Sequence, residues 1–440
     1  MPECFPFEHI NIAIQMRNEQ CRNIRSTQSR KTALRFKAMK HHSLILALTL
    51  MGLVTTSPAA EAKLDLILMN AGSLAQARDS VRAGNSPLKA AYDRLLRDAQ
   101  KAMTARPVSV MEKTKTPASG DKHDFYSIGP YYWPNPNTPN GLPYISKDGV
   151  SNPERSTDAY DPGRAGKIFK AIEILALAYY FSGDESYAVH ATTLLKTWYL
   201  DPATRMNPNL NYAQVNPGRD KVTGTGIIDT VGMIGIPDAI TLLSGSKSLT
   251  AEDLKGLKAW FGQYTDWLLN SEKGKLEHNA KNNHGVWFAA QTSTYARFAN
   301  RPDVAKTLAE SGKAQIAAQV EADGRMPLEL KRTKSFHYSV FNLQAFFQLA
   351  TAGQPVGVDL WNYSTPDGRS LRKAFDFVAQ FSDPTKKWAF QEIQGFKSES
   401  LYPLILSAGA NWKDAALLQT ADKLQSDEQK KDRIRLLLNR

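Results

Sequence analysis

Residues 167–181 read KIFKAIEILALAYYF. Ile168, Ile172, Leu175, Ala176 and Tyr179 follow at intervals of 4, 3, 1 and 3, which sets them along one face of an α-helix. Gly183-Asp184 stops the run, because glycine accepts the left-handed conformation in which helices end. A second run follows at once over residues 187–199. Comparable stretches recur at 227–243, 251–269, 286–298, 302–320, 340–352, 371–381 and 414–424, divided by short clusters of Gly, Pro, Asn and Asp. Strand-like alternation is weak throughout, and no exact repeat is present. Paired helices in series predict an all-α fold, an α/α toroid or incomplete α/α barrel.

The rest of the composition bounds the function. Of 440 residues, 42% are hydrophobic and 22% charged, enough for a sizeable core and incompatible with wholesale disorder. Two cysteines, Cys4 and Cys21, exclude a cysteine-ligated zinc module and a disulfide scaffold. A net charge of +12 points to a polyanionic partner. Residues 44–54, LILALTLMGLV, follow Lys40, His41 and His42 and precede Ala60-Glu61-Ala62. That is the layout of a secretory signal peptide, and the run is short of the ~20 apolar residues of a membrane span. Met39 stands where such a signal starts. Residues 1–62 are therefore expected to be an over-extended start plus signal peptide, and 63–440 a single domain, periplasmic or secreted after cleavage near Ala62. Cleavage removes eight Lys/Arg and four Asp/Glu and leaves +8. No later segment reads as apolar enough to span a membrane, so no stable membrane insertion is expected. An export signal also disfavours nucleic acid as the partner, despite the charge.

Two stretches break the helical rhythm, residues 122–162 and 202–225, both rich in Pro, Gly, Asn and aromatics. Long irregular segments inside a domain tend to carry function, and aromatic rings with amides are what sugar recognition uses. Packed surface loops with buried tyrosines are the plain alternative. After processing five histidines remain, His123, His190, His278, His284 and His337, without metal-ligand spacing. No phosphate loop, nucleophile elbow or dinucleotide fingerprint occurs, so neither metal nor cofactor is expected. Asp124, Asp229 and Glu329 are candidates for the two carboxylates a glycosidase pairs, though sequence does not pair them. Ionisable groups concentrate in Asn282-Asn283-His284-Gly285-Val286-Trp287 and in residues 327–338, PLELKRTKSFHY. The first also reads as a helix N-cap, and His337-Tyr338 as satisfied core residues at a helix start. Together they suit one reaction. In a polyuronate the C5 proton is weakly acidic, and its removal builds a dianion that Asn, Arg or a protonated group stabilises. A Tyr or His takes the proton and a Tyr hydroxyl protonates the leaving O4, which is β-elimination.

These stretches resemble the alginate lyase domain family, over about residues 107–388. The resemblance rests on an ordered series: Phe125-Tyr126-Ser127, Tyr131-Tyr132-Trp133-Pro134-Asn135-Pro136, Ala178-Tyr179-Tyr180-Phe181, residues 200–208 (LDPATRMNP), Asn211-Tyr212-Ala213-Gln214, and the two polar stretches. It implies a polysaccharide lyase on an α/α toroid, acting on an acidic polysaccharide, with alginate rich in mannuronate as first choice. It further implies that Asn283 and Arg332 neutralise the substrate carboxylate and that Tyr338 is the general acid, and the base where proton and leaving oxygen are syn. His284 helps neutralise the carboxylate or serves as base for the opposite C5 epimer. Tyr126, Trp133 and Gln214 are implied substrate contacts, and His337 a supporting neighbour. One departure is the six-residue step from Arg332 to Tyr338, one shorter than in mannuronate-specific lyases of family five. The Tyr-Tyr-Trp-Pro-Asn-Pro loop looks closer to polysaccharide lyase family thirty-eight, which leaves glucuronan as a rival substrate. A toroid-fold glycoside hydrolase would need facing carboxylates, and a non-catalytic polysaccharide-binding protein would tolerate loss of Tyr338.

Overall fold

The computed structural model describes residues 64–84 and 86–440. By its contacts the chain divides into Met1–Ala62 and Lys63–Arg440. The expected export signal lies outside the described residues.

The opening stretch forms a helix as its spacing predicts. Helices α1 (Ala71–Arg82) and α2 (Lys89–Ala102) precede α3 (Pro162–Ser182), in which Ile168, Ile172, Leu175 and Ala176 are buried. Each such aliphatic side chain taken from water contributes about 1.5–3 kcal/mol. Gly183 ends α3 at φ 75°, and the Asp184 side chain caps α4 (Glu185–Leu195) by accepting from the Ser186 N–H. Then come α5 (Ile236–Leu243), α6 (Ala251–Asn270), α7 (Glu272–His278), α8 (Asn283–Phe298), α9 (Pro302–Gln319), α10 (Pro327–Leu330) and α11 (Ser335–Gly353). The chain finishes with α12 (Leu371–Ala379), α13 (Tyr402–Asn411), α14 (Ala415–Leu424) and α15 (Ile434–Leu438). Sequential neighbours pack as pairs, α3 with α4, α8 with α9 and α13 with α14, and α15 returns to pack on α1. This is the expected α/α toroid.

Helix α8 is the wall that both halves of the core share. Its Phe288, Tyr295 and Phe298 join the apolar cluster of α1–α6, while Val286, Trp287, Ala289 and Ala290 join that of α9–α14. A helix buried on nearly every side shows little amphipathic contrast. Its first residues, however, are polar, and they stand where α10 and α11 come close.

Three expectations need correction. The run 227–243 is not one helix: Thr225–Met233 is 3-10 helical, and α5 starts only at Ile236, beyond the Gly232 and Gly235 that interrupt it. The same stretch, Thr225–Leu243, is long and apolar enough by composition to cross a membrane, contrary to the sequence reading, but most of it is buried within the protein as a core element is. The two irregular stretches also hold short strands. β1 (Tyr126–Ile128) pairs in parallel with β4 (Tyr212–Val215), Tyr126 opposite Tyr212, and β2 (Tyr132–Trp133) pairs antiparallel with β3 (Ile145–Ser146). The β1–β4 pairing ties the irregular stretches to each other, and the β2–β3 hairpin lies within the first of them, between Tyr131 and Asp148.

Candidate active site

The first turn of α8 presents two adjacent polar residues. Asn282 is the N-cap, as one reading of the sequence had it, its side-chain oxygen accepting from the His284 N–H at 3.3 Å. Asn283 is fully buried; its backbone N–H and its Nδ2 donate to Glu329 Oε1 and Oε2, each at 2.8 Å. Its Oδ1 is buried without a partner. Glu329 comes from α10, and burial raises its pKa against the opposing pull of Asn283, Arg332 and His284. His284 Nδ1 lies 2.7 Å from Glu277 Oε1 on α7. Burial disfavours the charged ring, but Glu277 and then Glu329 outweigh it, and the His284 pKa is raised. With Nδ1–H donated to Glu277, Nε2 is the nitrogen left for other work.

Arg332 and Tyr338 form the opposite side. Between them the chain turns from α10 into α11, so Tyr338 falls in the first turn of α11. Arg332 Nε and Nη2 donate to the Asp148 carboxylate at 3.3 and 2.5 Å. Its guanidinium carbon sits 3.7 Å from the centroid of the Tyr338 ring, a close cation–π stack. The Tyr338 hydroxyl lies 2.6 Å from that of Tyr131, and the side chain belongs to a residue only 7% exposed. Burial, with Tyr131 next, pushes the Tyr338 phenol far above its ordinary range, while Arg332 pulls it down. His337 stacks on Phe341 and meets Tyr338 edge-on. Burial and then the neighbouring Lys334 and Arg332 lower its pKa to about 4, so the ring is neutral near pH 7.

Electrostatic coupling joins the two sides: Arg332 bears on both His284 and Glu329. Asn283, His284, Arg332 and Tyr338, with His337 beside them, are thus gathered from segments about fifty residues apart. Tyr126 and Gln214 belong to a second network. Gln214, at φ 47°, donates from Nε2 to Asp229 Oδ1 at 2.6 Å, and its N–H donates to Ser127 Oγ at 2.8 Å. Arg155 pairs with the same Asp229 at 2.6 Å. The Tyr126 N–H donates to Asp161, and its ring meets Tyr160. Trp133 donates to the Val150 carbonyl at 2.8 Å with Lys147 over its ring, so it braces the β2–β3 hairpin.

The carboxylates a glycosidase would need are already engaged. Asp124 accepts from Ser119, Asn207 and Asn209, Asp229 from Gln214, Ser127 and Arg155, and Glu329 from Asn283. Among the described residues no group of three His, Cys, Asp or Glu is arranged to hold a metal. Sequence reading missed Glu277, Tyr131 and Asp148 as members of the site. Tyr131 stood inside the aromatic motif and carried a signal; Glu277 and Asp148 are ordinary surface-type residues in sequence, and only the fold brings them to His284 and Arg332.

Comparison with known proteins bears on the family and the fold. The alginate lyase family model matches residues 109–388. No curated protein matches the chain. The crystal structure of an alginate lyase from Bacteroides ovatus superposes with a TM-score of 0.81 at 37% identity, covering 85% of this chain and 99% of that one. Alginate lyase A1-III from Sphingomonas species A1 follows at 0.52 and 17% identity, covering 86% and 99%. A tyrosine-to-phenylalanine variant of A1-III complexed with a tetrasaccharide gives 0.54 at 16%, covering 83% and 93%; these two speak for the fold alone. The family match spans well over half of the chain and the ovatus relative nearly its own full length, and so the chain belongs to the alginate lyase family of polysaccharide lyases.

Proposed function

We propose that the protein cleaves alginate by β-elimination and prefers blocks of β-D-mannuronate. The observation that carries this is the stack of Arg332 on Tyr338, with the Tyr131 hydroxyl 2.6 Å from that of Tyr338. In this reading Arg332, Asn283 and the His284 imidazolium neutralise the C5 carboxylate. Tyr338 enters as phenolate: its oxygen takes the C5 proton and, as phenol, returns it to O4 of the leaving sugar, ending as phenolate again. The C5–H and C4–O4 bonds break, C4=C5 forms, and the proton balance closes on Tyr338 itself. Arg332 against the ring stabilises the phenolate that the base step needs, and the high intrinsic pKa makes the protonated form a ready acid.

The charge state of His284 favours mannuronate over guluronate. In mannuronate the C5 proton and O4 lie on the same side, so one tyrosine serves both steps. A guluronate substrate, the C5 epimer, needs a base on the other face, and His284, held towards its charged form by Glu277, is poorly suited to accept a proton. Glucuronate shares the C4 and C5 configuration of mannuronate and differs from it at C2, so the same chemistry serves it. Identity of 37% to a protein described as an alginate lyase supports the polymer. Tyr126, Gln214 and Trp133 are proposed to shape the surroundings of the bound sugar rather than to react. We also propose export to the periplasm, on residues 40–62; the N-terminal sequence of the exported protein tests it.

Ultraviolet absorbance decides the main point. Purified residues 63–440 are mixed separately with polymannuronate, polyguluronate and glucuronan. The fastest rise with polymannuronate is the expected result. A faster rise with glucuronan reassigns the substrate, and no rise with any of the three overturns the reading.

A further inference from the structure

Asp148 has no counterpart in the chemistry above, yet it is among the most heavily bonded carboxylates in the protein. Besides the two bonds from Arg332, its Oδ2 accepts from the Thr333 N–H at 3.3 Å and from Thr333 Oγ1 at 3.1 Å. Thr333 Oγ1 also lies 3.1 Å from the Asp148 carbonyl. The next residue, Gly149, has φ 76° and no room for a side chain, since an added Cβ would stand 2.3 Å from Thr333 Oγ1. The turn that follows β3 is therefore built to bring one carboxylate against Arg332-Thr333 and hold it there.

A guanidinium has five N–H donors and more than one edge able to grip a carboxylate. Asp148 takes the Nε–Nη2 edge. The Nη1 side is left for a second anion. Holding one edge fixes the orientation of the group, whose carbon lies 3.7 Å from the centroid of the Tyr338 ring. We propose that Asp148 is a positioning residue of the lyase reaction: it orients Arg332 flat on Tyr338 so that its other edge meets the substrate carboxylate. This rests on the roles proposed above for Arg332 and Tyr338.

Asp148 also sets the charge that Tyr338 feels. The groups facing the phenol are Arg332, Asp148, Tyr131 and His337, with Lys334 near Tyr131. Asp148 offsets part of the Arg332 charge. Without it the bare cation eases ionisation of the phenol, so the limb of the pH–rate profile that reports ionisation of Tyr338 moves to lower pH.

The test is D148N, assayed on polymannuronate by absorbance across pH, beside wild type, D148E and Y338F. In D148N, kcat is expected to fall roughly ten- to hundredfold, the penalty of an ångström-scale misplacement of a reacting group. KM should change less, and the limb that reports ionisation of Tyr338 should shift to lower pH. D148E keeps the charge one methylene further out; it should regain part of kcat and show the wild-type limb. If D148N melts below the assay temperature, D148E decides: a reduced kcat with an unmoved limb supports the inference, and a wild-type kcat overturns it. A folded D148N with wild-type kcat and profile also overturns it. Y338F separates the two readings. If Y338F is inactive while D148N is normal, only the role of Asp148 fails; if Y338F is active, the proposed mechanism itself fails.

Discussion

Tyr338 is held towards its neutral form by burial, which suits the acid step, and carries a cation on its ring, which lowers the cost of the phenolate that the base step needs. Y338F removes the hydroxyl and keeps the ring under Arg332. We expect turnover to drop by about 10²–10⁴-fold, the usual worth of positioned acid–base catalysis, with oligomannuronate affinity nearly unchanged. Calorimetric binding and initial rates on the same preparation check both halves; substantial residual turnover would move the acid role elsewhere. Glu277 sets the complementary group. It raises the His284 pKa, so the imidazolium that neutralises the substrate is present at low pH and lost as pH rises through that raised value. In E277Q the histidine loses its protonated form sooner, and activity should begin to decline at a lower pH than in wild type. An identical profile for the two proteins would mean that His284 does not act as a cation. Asn283, with Oδ1 buried and unpaired, adds a polar group left unsatisfied beside the site, the kind of exception that function explains more often than stability does.

Elements deliver these residues by where they begin. The periodicity in the sequence placed a helix at 286–298, but α8 starts at Asn283, and it placed another at 340–352, but α11 starts at Ser335. In both cases the missing turn holds the chemistry. Hydrophobic spacing records the buried face, and a first turn made of Asn-His or Ser-Phe-His-Tyr does not follow it. Helices α1 and α2 escaped for a different reason: their buried stripes rest largely on small residues, Ala77 in one and Ala91, Ala99 and Ala102 in the other. Helix α13 is apolar nearly all round and shows no contrast. What sequence did carry was the pairing of long helices and the two polar stretches; what it lacked was any sign that Glu277 and Asp148 reach them. The start of α8 is also mechanically tight. An added Cβ at Gly285 would lie 2.2 Å from the Ala280 carbonyl oxygen, a backbone atom with little freedom to yield. Helix propensity favours G285A by about 1 kcal/mol, whereas overpacking of this kind costs about 1–3 kcal/mol. The clash wins, so G285A should lower the unfolding midpoint and, by displacing Asn283 and His284, lower kcat as well. A more stable variant with normal kcat would show that this turn relaxes freely.

At the scale of the whole molecule the ring closes where α15 packs on α1, and two carboxylates, the buried Asp238 and the half-buried Glu173, stand near that closure. Asp238 on α5 accepts from the backbone N–H groups of Ile67, Leu68 and Met69 at 2.7, 2.8 and 2.8 Å, anchoring the strand of chain that leads into α1. Burial still pushes its pKa up to about 6 against those three bonds. Glu173 on α3 has its carboxyl hard against Gly235, where an added Cβ would be 2.1 Å from Oε1. Burial, reinforced by Asp238 and opposed by Arg433 and Lys170, raises Glu173 to about 7. A carboxyl whose folded pKa exceeds its unfolded one near 4.3 binds more protons when folded between the two values. Its contribution to stability is complete below the unfolded pKa and is lost as pH rises through about 7. One such proton amounts to a slope of at most about 1.4 kcal/mol per pH unit. His337 and His278, whose pKa values are lowered by burial, act in the opposite sense at acid pH, so the raw stability curve of wild type mixes the two. The difference between E173Q and wild type isolates the carboxyl. E173Q keeps the shape of the neutral acid and cannot ionise. Its unfolding midpoint should exceed that of wild type at pH 8, and the gap should narrow as pH falls through about 7 and close below the unfolded value of about 4.3. A gap that is constant with pH would mean that Glu173 does not change its charge across this range, and the pH dependence near neutrality would then have to come from Asp238 and His284.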